Sequence, residues 1–323
     1  MFWEKRAIVT GSEGFIGGHL VDRLLEHGYR VLGVDNMSSG LAETLDSHLQ
    51  NVNYISKQLD ICDPKIEGVF KKFNPTFVFH LAAKPGVSQS VADPVFYDIN
   101  NINGSLNVLE AARLSGVKRF IFSSSSSIYG GSKELPTKES CEPDPKSPYA
   151  LQKLTVEKYC KLYSNMYDID TVSLRYFNVF GPRQSSRSAY AAVIAAFVLA
   201  ENLGESPVIY GSGDQFRDFT YVEDVVRANI LAATSDTRLR GMSINIGTGR
   251  STTINDLCRA ICSKRPIYKE VRAGDVFSSR ADVELAKEVL GHISEWSLSA
   301  ALKEFSIQHG AKNVRNIWSN KSK

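Results

Sequence analysis

Tyr149 and Lys153 stand four residues apart in Ser147-Pro148-Tyr149-Ala150-Leu151-Gln152-Lys153, a spacing that puts both on one face of a helix. A phenol is a poor base near neutrality, because its ordinary pKa is about 10. A nearby positive charge favours the phenolate, so the lysine makes the tyrosine usable. A serine run, Ser123 to Ser127, lies upstream. A serine beside the tyrosine can hand an alcohol proton to the phenolate. Such a set takes a proton from an alcohol while a separate acceptor takes the hydride.

The acceptor's place is marked at the start of the chain. Thr10-Gly11-Ser12-Glu13-Gly14-Phe15-Ile16-Gly17 follows an apolar run and opens a helical pattern. Glycines there allow a tight turn and close backbone approach, and the helix amino end faces a pyrophosphate. The next strand ends at Asp35, whose carboxylate suits the adenosine ribose hydroxyls and repels a 2′-phosphate. That favours NAD over NADP. Asp60-Ile61 either receive the adenine amino group and pack on its ring or form an ordinary turn. Leu81-Ala82-Ala83-Lys84 are small enough for backbone to lie against a cofactor. Lys84 itself either reaches a ribose hydroxyl or phosphate, or is an exposed lysine.

The elements that must position these groups alternate. Residues 6–10, 30–35, 52–56, 76–82 and 119–124 read as strands, with 171–176 and 243–246 extending the set. Residues 15–27, 66–73 and 102–115 carry helical spacing between them. The expected class is α/β: a Rossmann-like, doubly wound parallel sheet with a smaller, interleaved α/β substrate-binding lobe. Residues 1–178 make the dinucleotide domain, 219–248 return to it, and 179–323 are mainly the second lobe. Turns at 211–214 and 247–249 and a polar loop at 182–188 would cover a ligand cleft.

Bulk composition excludes other classes. The chain has 323 residues, 43% hydrophobic and 23% charged, as ordinary globular proteins do. A net charge of +3 is too small for a nucleic-acid footprint, and the basic residues 312–323 read as a solvated tail. The apolar stretch 189–200 is too short to span a membrane, and the chain runs into its first strand without room for a signal peptide. The five cysteines are irregularly spaced without clustered histidines, so no metal is expected, and reduced thiols in a cytoplasmic protein are.

Together these segments resemble the extended short-chain dehydrogenase/reductase family, and within it the nucleotide-sugar 4-epimerases. The resemblance spans nearly the whole chain. It is carried by Gly11-x-x-Gly14-x-x-Gly17, Asp35-Asn36, His80-Leu81-Ala82-Ala83, Tyr149-x-x-x-Lys153 and Arg175-Tyr176-Phe177-Asn178, then Arg217-Asp218-Phe219 and Arg272-x-Gly274-Asp275. It implies that Tyr149 is the catalytic base and acid, and that Lys153 binds the nicotinamide ribose and holds the phenol pKa down. Ser125 matches the family's catalytic serine, with Ser124 and Ser126 as alternatives inside the run. NAD would be held by Gly11, Gly14, Phe15, Ile16, Gly17, Asp35, Asn36, Asp60 and Ile61. Leu81, Ala82, Ala83, Lys84, Ser123, Tyr149, Lys153 and Tyr176 complete that set, Tyr176 and Phe177 being either nicotinamide neighbours or core. A UDP-sugar would meet Ser88, Ser125, Ser126, Tyr149, Asn178, Arg217, Arg272, Asp275 and Ser279. Guanidinium groups suit a diphosphate because their donors are fixed and planar; a surface salt bridge is the plainer role for each.

Related dehydratases and decarboxylases carry an acidic residue just before the Tyr-Gly that follows the serine run. Here Ser126-Ser127-Ile128-Tyr129-Gly130 has none. The implied reaction is 4-epimerisation of UDP-gluco and UDP-galacto sugars through a transient 4-keto sugar, with NAD retained. Ser278-Ser279 are small where bulk would exclude an N-acetyl group, so UDP-GlcNAc fits beside UDP-Glc. Arg183-Gln184 and 189–194 resemble N-acetylhexosamine members, although Ser185-Ser186 replace a more familiar Asn-Pro. UDP-glucuronate is an alternative, its carboxylate meeting Arg183, Arg187 or Lys84. A dehydratase or decarboxylase is another, and a non-catalytic NAD-binding module would have no use for Tyr149 and Lys153. The resemblance also implies a homodimer through a four-helix bundle made from 103–115 and 149–163, and no nucleic-acid or membrane partner.

Overall fold

In the computed structural model, which describes residues 5–132, 134–184, 193–271 and 276–308, seven strands build one parallel sheet. Its first six strands are β1 (Arg6–Thr10), β2 (Arg30–Asp35), β3 (Tyr54–Gln58), β4 (Phe77–His80), β5 (Arg119–Ser125) and β6 (Asp170–Tyr176). The short strands β7 (Val179–Phe180), β8 (Val208–Tyr210), β9 (Phe216–Arg217) and β10 (Thr220–Tyr221) precede its seventh, β11 (Met242–Ile246). Two more, β12 (Thr252–Thr253) and β13 (Ile267–Lys269), follow. The sheet order is β11-β6-β5-β4-β1-β2-β3. The chain thus winds outward from β1 to β3, then returns to β1's other side with β4. Ligands bind beyond the carboxyl ends of strands where the winding reverses, here between β1 and β4.

The helices are α1 (Phe15–Glu26), α2 (Ala42–Leu49), α3 (Ile66–Phe73), α4 (Val87–Ala92), α5 (Pro94–Asp98), α6 (Ser105–Leu114) and α7 (Pro148–Met166). Then come α8 (Val193–Leu203), α9 (Val222–Thr234), α10 (Ile254–Ile261), α11 (Glu284–Leu290) and α12 (Leu298–Gln308). Side chains alternate across a strand, so β1, β2, β4 and β5 each feed two cores. Ala7, Val9 and Phe79 join Leu20 and Leu24 of α1 and Val222 and Val226 of α9. Ile8, Val78 and Phe120 join Phe70 of α3, Val108 of α6 and Val156 of α7. Strands covered on both faces favour apolar side chains on both sides, which is why β1, β4 and the first part of β5 read as near-continuous hydrophobic runs, whereas β6 alternates Val172, Leu174 and Tyr176 with Thr171, Ser173 and Arg175.

The doubly wound sheet expected from the sequence is present, with local differences. The third strand begins two residues later than expected. Asn51 closes a turn first, accepting the Asn53 N–H on its side chain (3.0 Å) and the Tyr54 N–H on its carbonyl (3.0 Å), which leaves Val52 exposed. The fourth strand stops at His80, because Leu81 to Pro85 leave the sheet toward the cleft. The helix expected over 102–115 opens instead with a π-helical stretch, Ile99–Gly104, before α6.

Outside the main sheet the short strands pair β7 with β10, β8 with β13 and, antiparallel, β9 with β12. No helix among the described residues is long and apolar enough to cross a membrane.

Candidate active site

The glycine-rich loop is shaped by contacts that admit no side chain. Gly11 has φ +72°, and a Cβ there would lie 2.8 Å from the Ala82 nitrogen. A Cβ on Gly17 would lie 1.9 Å from the Gly11 carbonyl oxygen. The loop therefore packs directly on the backbone leaving β4. Gly14 caps α1 without a capping side chain, so the first N–H groups of that helix are available to an anion. Asp35, at the end of β2, accepts the backbone N–H groups of Glu13 (3.1 Å) and Met37 (2.8 Å), while burial raises its pKa. Lys84 donates to Ser38 (2.8 Å) on the same rim.

These groups line one cleft. Gly11, Gly14, Phe15, Ile16, Gly17, Asp35 and Asn36 form its near wall. Ile61, Leu81, Ala82, Ala83 and Lys84 form the far wall, and Ser123, Tyr149, Lys153 and Tyr176 close its inner end. Asp60 is not among the lining residues. Its carboxylate is taken by the Cys62 N–H (2.8 Å) and the Asn36 amide (2.7 Å), as in a turn, and these bonds outweigh burial to hold its pKa low. The turn reading of Asp60 is the one its geometry fits.

A second cleft opens beside the first. Ser125, Ser126, Tyr149, Asn178, Arg217 and Ser279 line it. Ser88 is not among its lining residues, and Arg272 and Asp275 lie outside the described residues. The same holds for Ser185, Ser186 and Arg187. Asn178 donates to the Asp218 carbonyl (2.9 Å) and to the Ser279 hydroxyl (3.0 Å). Arg217 donates to the carbonyls of Phe277 (3.1 Å) and Val276, holding that segment at the cleft edge. Asp218 is buried and accepts from Thr248 N–H (2.9 Å), Thr248 hydroxyl (2.6 Å), Gly249 N–H (2.9 Å) and Ala281 N–H (3.1 Å). One carboxylate thus ties three loops into a floor.

Tyr149, Tyr176, Ser124, Phe15, Ile16 and Pro85 belong to both clefts. α7 starts just before Tyr149, because Ser147 accepts the Ala150 N–H (3.2 Å) and Pro148 occupies the first turn. Tyr149 is half-buried by surface area, its ring facing the clefts; the protein packed around its hydroxyl pushes the pKa up to about 12, against a hydrogen bond with Ser125. Lys153 is 5% exposed and donates to the Ser123 carbonyl (2.8 Å), with its nitrogen 5.9 Å from the Tyr149 ring centroid. Burial draws its pKa down to about 8, with Glu157 opposing. His80 bridges Thr10 (2.7 Å) and Ser105 (2.8 Å), and burial keeps it neutral, down to about 3.

The serines divide their duties. Ser123 pairs with the Tyr176 hydroxyl (3.0 Å), Ser124 donates to Glu157, and Ser125 stands beside Tyr149, lowering the phenol pKa, while accepting from the Ser127 hydroxyl (2.9 Å). Of the three candidate serines, Ser125 is the one in contact with the phenol. Glu157 and Arg175 form a buried ion pair (2.7 Å) behind this row. Sequence reading missed Glu157, although its place one turn after Lys153 was a usable signal. No group of three metal-ligating side chains occurs among the described residues.

Comparison with known proteins adds an independent line. The family model described as "NAD dependent epimerase/dehydratase family" matches residues 7–247. The UDP-glucose 4-epimerase of Mycolicibacterium smegmatis is 39% identical over 305 residues, covering 93% of this chain and 95% of the relative. The crystal structure of UDP-glucose 4-epimerase from Thermotoga maritima with UDP-glucose superposes with a TM-score of 0.89 at 41% identity, covering 94% of this chain and 98% of that one. The UDP-N-acetylglucosamine 4-epimerase of Methanobrevibacter ruminantium, in complex with UDP-N-acetylmuramic acid, gives 0.87 at 41% identity, covering 95% and 98%.

Proposed function

This chain belongs to the NAD-dependent epimerase/dehydratase family, and from that premise we propose that it is a 4-epimerase of UDP-gluco and UDP-galacto sugars that retains its NAD. The observation that carries the reading is the place of Tyr149, on the wall common to a dinucleotide cleft and a second cleft. The first cleft fits NAD: a loop whose glycines leave no room for a Cβ, an uncapped helix start and the carboxylate of Asp35. When bound, NAD supplies a reversible hydride acceptor and a positive charge beside the phenol. Tyr149 takes the proton of the sugar 4-hydroxyl, relayed by Ser125, and later returns it to the same oxygen. The Lys153 ammonium, its nitrogen 5.9 Å from the Tyr149 ring centroid, would favour the phenolate against the burial that favours the neutral phenol. Lys153 and Ser123 stand at the end of the cleft where the nicotinamide ribose would lie. Between proton removal and return, the 4-keto sugar turns over within the second cleft.

That cleft has no Asp or Glu among its described lining residues, which favours epimerisation over the carboxylate-assisted chemistry of a dehydratase or decarboxylase. Asn178, Arg217 and Ser279, with Arg272 and Asp275, would hold the UDP-sugar. Ser278 and Ser279 leave room for an N-acetyl group. Of the cations that could meet a uronate, Arg183 is paired with Asp22 (2.7 Å), Lys84 faces the first cleft, and Arg187 lies outside the described residues. We assign residues 1–178 and 219–248 to the NAD-binding domain and the remainder after 178 mainly to the sugar lobe. A homodimer through α6 and α7 fits the exposed Leu114, Leu151, Leu162 and Met166. All five cysteines are free thiols, which supports a cytoplasmic setting.

The test is to incubate the purified protein, with no added cofactor, with UDP-Glc, UDP-GlcNAc and UDP-GlcA separately, and to follow the anomeric protons by NMR. The galacto epimer of UDP-Glc or UDP-GlcNAc is expected. A 4-keto-6-deoxy sugar, a pentose or steady release of NADH would overturn the reading.

A further inference from the structure

Three consecutive residues at the end of β5 meet three residues spaced one turn apart on α7. The Ser123 carbonyl accepts from Lys153 (2.8 Å), the Ser124 hydroxyl donates to Glu157, and Ser125 stands beside the Tyr149 phenol, whose pKa it lowers. Two of these contacts belong to the reacting groups, and the middle one does not. Glu157 is 4% exposed and its carboxylate is fully occupied: besides Ser124 it accepts from Arg175 Nη2 (2.7 Å) and Nε (3.0 Å) and from Ser243 (3.0 Å). Arg175 in turn donates to the Tyr129 hydroxyl (2.7 Å), which donates to Asn245 (2.7 Å). A buried ion pair is a poor way to gain stability, because desolvation offsets its attraction. It is a good way to hold one geometry.

We propose that Glu157 is a positioning residue which, through Ser124, keeps the end of β5 in register with α7, so that Ser125 stays against Tyr149 and the Ser123 carbonyl against Lys153. The inference rests on the reading of Tyr149 and Ser125 as the proton-transfer pair. Neither a cofactor nor a sugar contact is required of Glu157 itself, since its acceptors face β5, β6 and β11. Its charge has a second effect. Lys153 faces Tyr149 and Glu157 on its own helix, His80 on β4 and Tyr176 across the cleft; of these, Glu157 is the anion. Glu157 itself faces Arg175 of β6, Tyr129 and Cys160.

The decisive variant is Ser124→Ala, which leaves the Glu157–Arg175 pair intact. The holoenzyme should fold and retain NAD, lose kcat by on the order of tenfold, and keep KM within about twofold for the UDP-sugar the wild type converts fastest. Glu157→Ala should lose at least as much, and adding Ser124→Ala to it should cost nothing further. Glu157→Gln retains an acceptor for Ser124 and should recover most of that kcat, while its alkaline limb moves to lower pH because the carboxylate no longer supports the Lys153 ammonium. Wild-type kcat in Ser124→Ala, additive losses in the double variant, or an unmoved alkaline limb in Glu157→Gln would each overturn the proposal. If the wild type converts none of the UDP-sugars, it is the epimerase reading that fails. Crystal structures of the wild type and Ser124→Ala then decide: a Ser125–Tyr149 contact unchanged in the variant refutes the positioning role, and its loss supports it.

Discussion

The two clefts that share Tyr149 are built in opposite ways. The first is made largely of backbone: glycines pressed against carbonyls and amides, strand ends, and a helix start, gathered where the two windings of the sheet meet. The second is made of loops gathered from distant parts of the chain and fastened by side chains to main chain, as Asp218, Arg217 and Asn178 do. Backbone architecture leaves little to vary, so the first cleft specifies a ligand common to a whole family. Side-chain fastenings can be exchanged one at a time, and loop-built sites are where specificity is carried.

The sharpest way to break this comparison is at the shared wall. Tyr149→Phe removes the proposed proton carrier from both clefts and should lower kcat by about 10²–10⁴-fold, with NAD still bound, measured by NMR turnover and by cofactor content after gel filtration. Asp218→Asn should damage the second cleft alone. An amide nitrogen would then face N–H donors, costing about 1–3 kcal/mol, and KM for the UDP-sugar should rise while NAD content stays at the wild-type level. Loss of NAD in that variant would show that the two clefts are not separable. Asp35→Ala should act on the first cleft alone, relaxing the preference for NAD over NADP in reconstitution of the apoprotein, with little change in KM for the sugar.

The smallest expected effect lies under the glycine loop. His48 sits between Glu13 (3.2 Å) and Asp22 (3.1 Å); burial works against its charge, but the two carboxylates prevail and raise its pKa to about 9 from 6.5. A folded-state pKa above the unfolded one gives stability that is complete below pH 6.5 and lost as pH rises through 9. His48→Gln should abolish that part of the pH dependence of Tm, most visibly when pH 6 and pH 9.5 are compared. An identical pH profile in the variant would remove His48 as the cause.

What the sequence made legible follows the same divide. The glycine loop, Asp35 and the Tyr149–Lys153 pair announce themselves because local spacing alone dictates their geometry. The central strands β1 and β4 were readable as apolar runs, whereas β3, β6 and β11 mix polar and apolar residues and showed themselves by alternation and by their place between helices. Asp60 was ambiguous because a carboxylate after a strand serves a turn as well as a ligand, and its partners, Cys62 N–H and Asn36, are not a pattern. The fastenings of the second cleft were invisible: Asp218 reaches Thr248 and Ala281, and Glu157 reaches Ser243, across separations of 30, 63 and 86 residues. Contacts at such range leave no periodic trace. The helices α2, α4 and α5 were missed because they are short and carry few buried apolar positions, and α8, α9, α11 and α12 were not read as helices in the less regular second half.

The position of Tyr149 on a wall common to both clefts has a consequence for the cell. A catalyst that takes a proton and a hydride from a sugar and gives both back draws on no oxidant and leaves no reduced coenzyme behind. It therefore has no means of pushing the two sugars away from their natural ratio. The direction of net flow is set outside the protein, by whichever glycosyl consumer draws one epimer down.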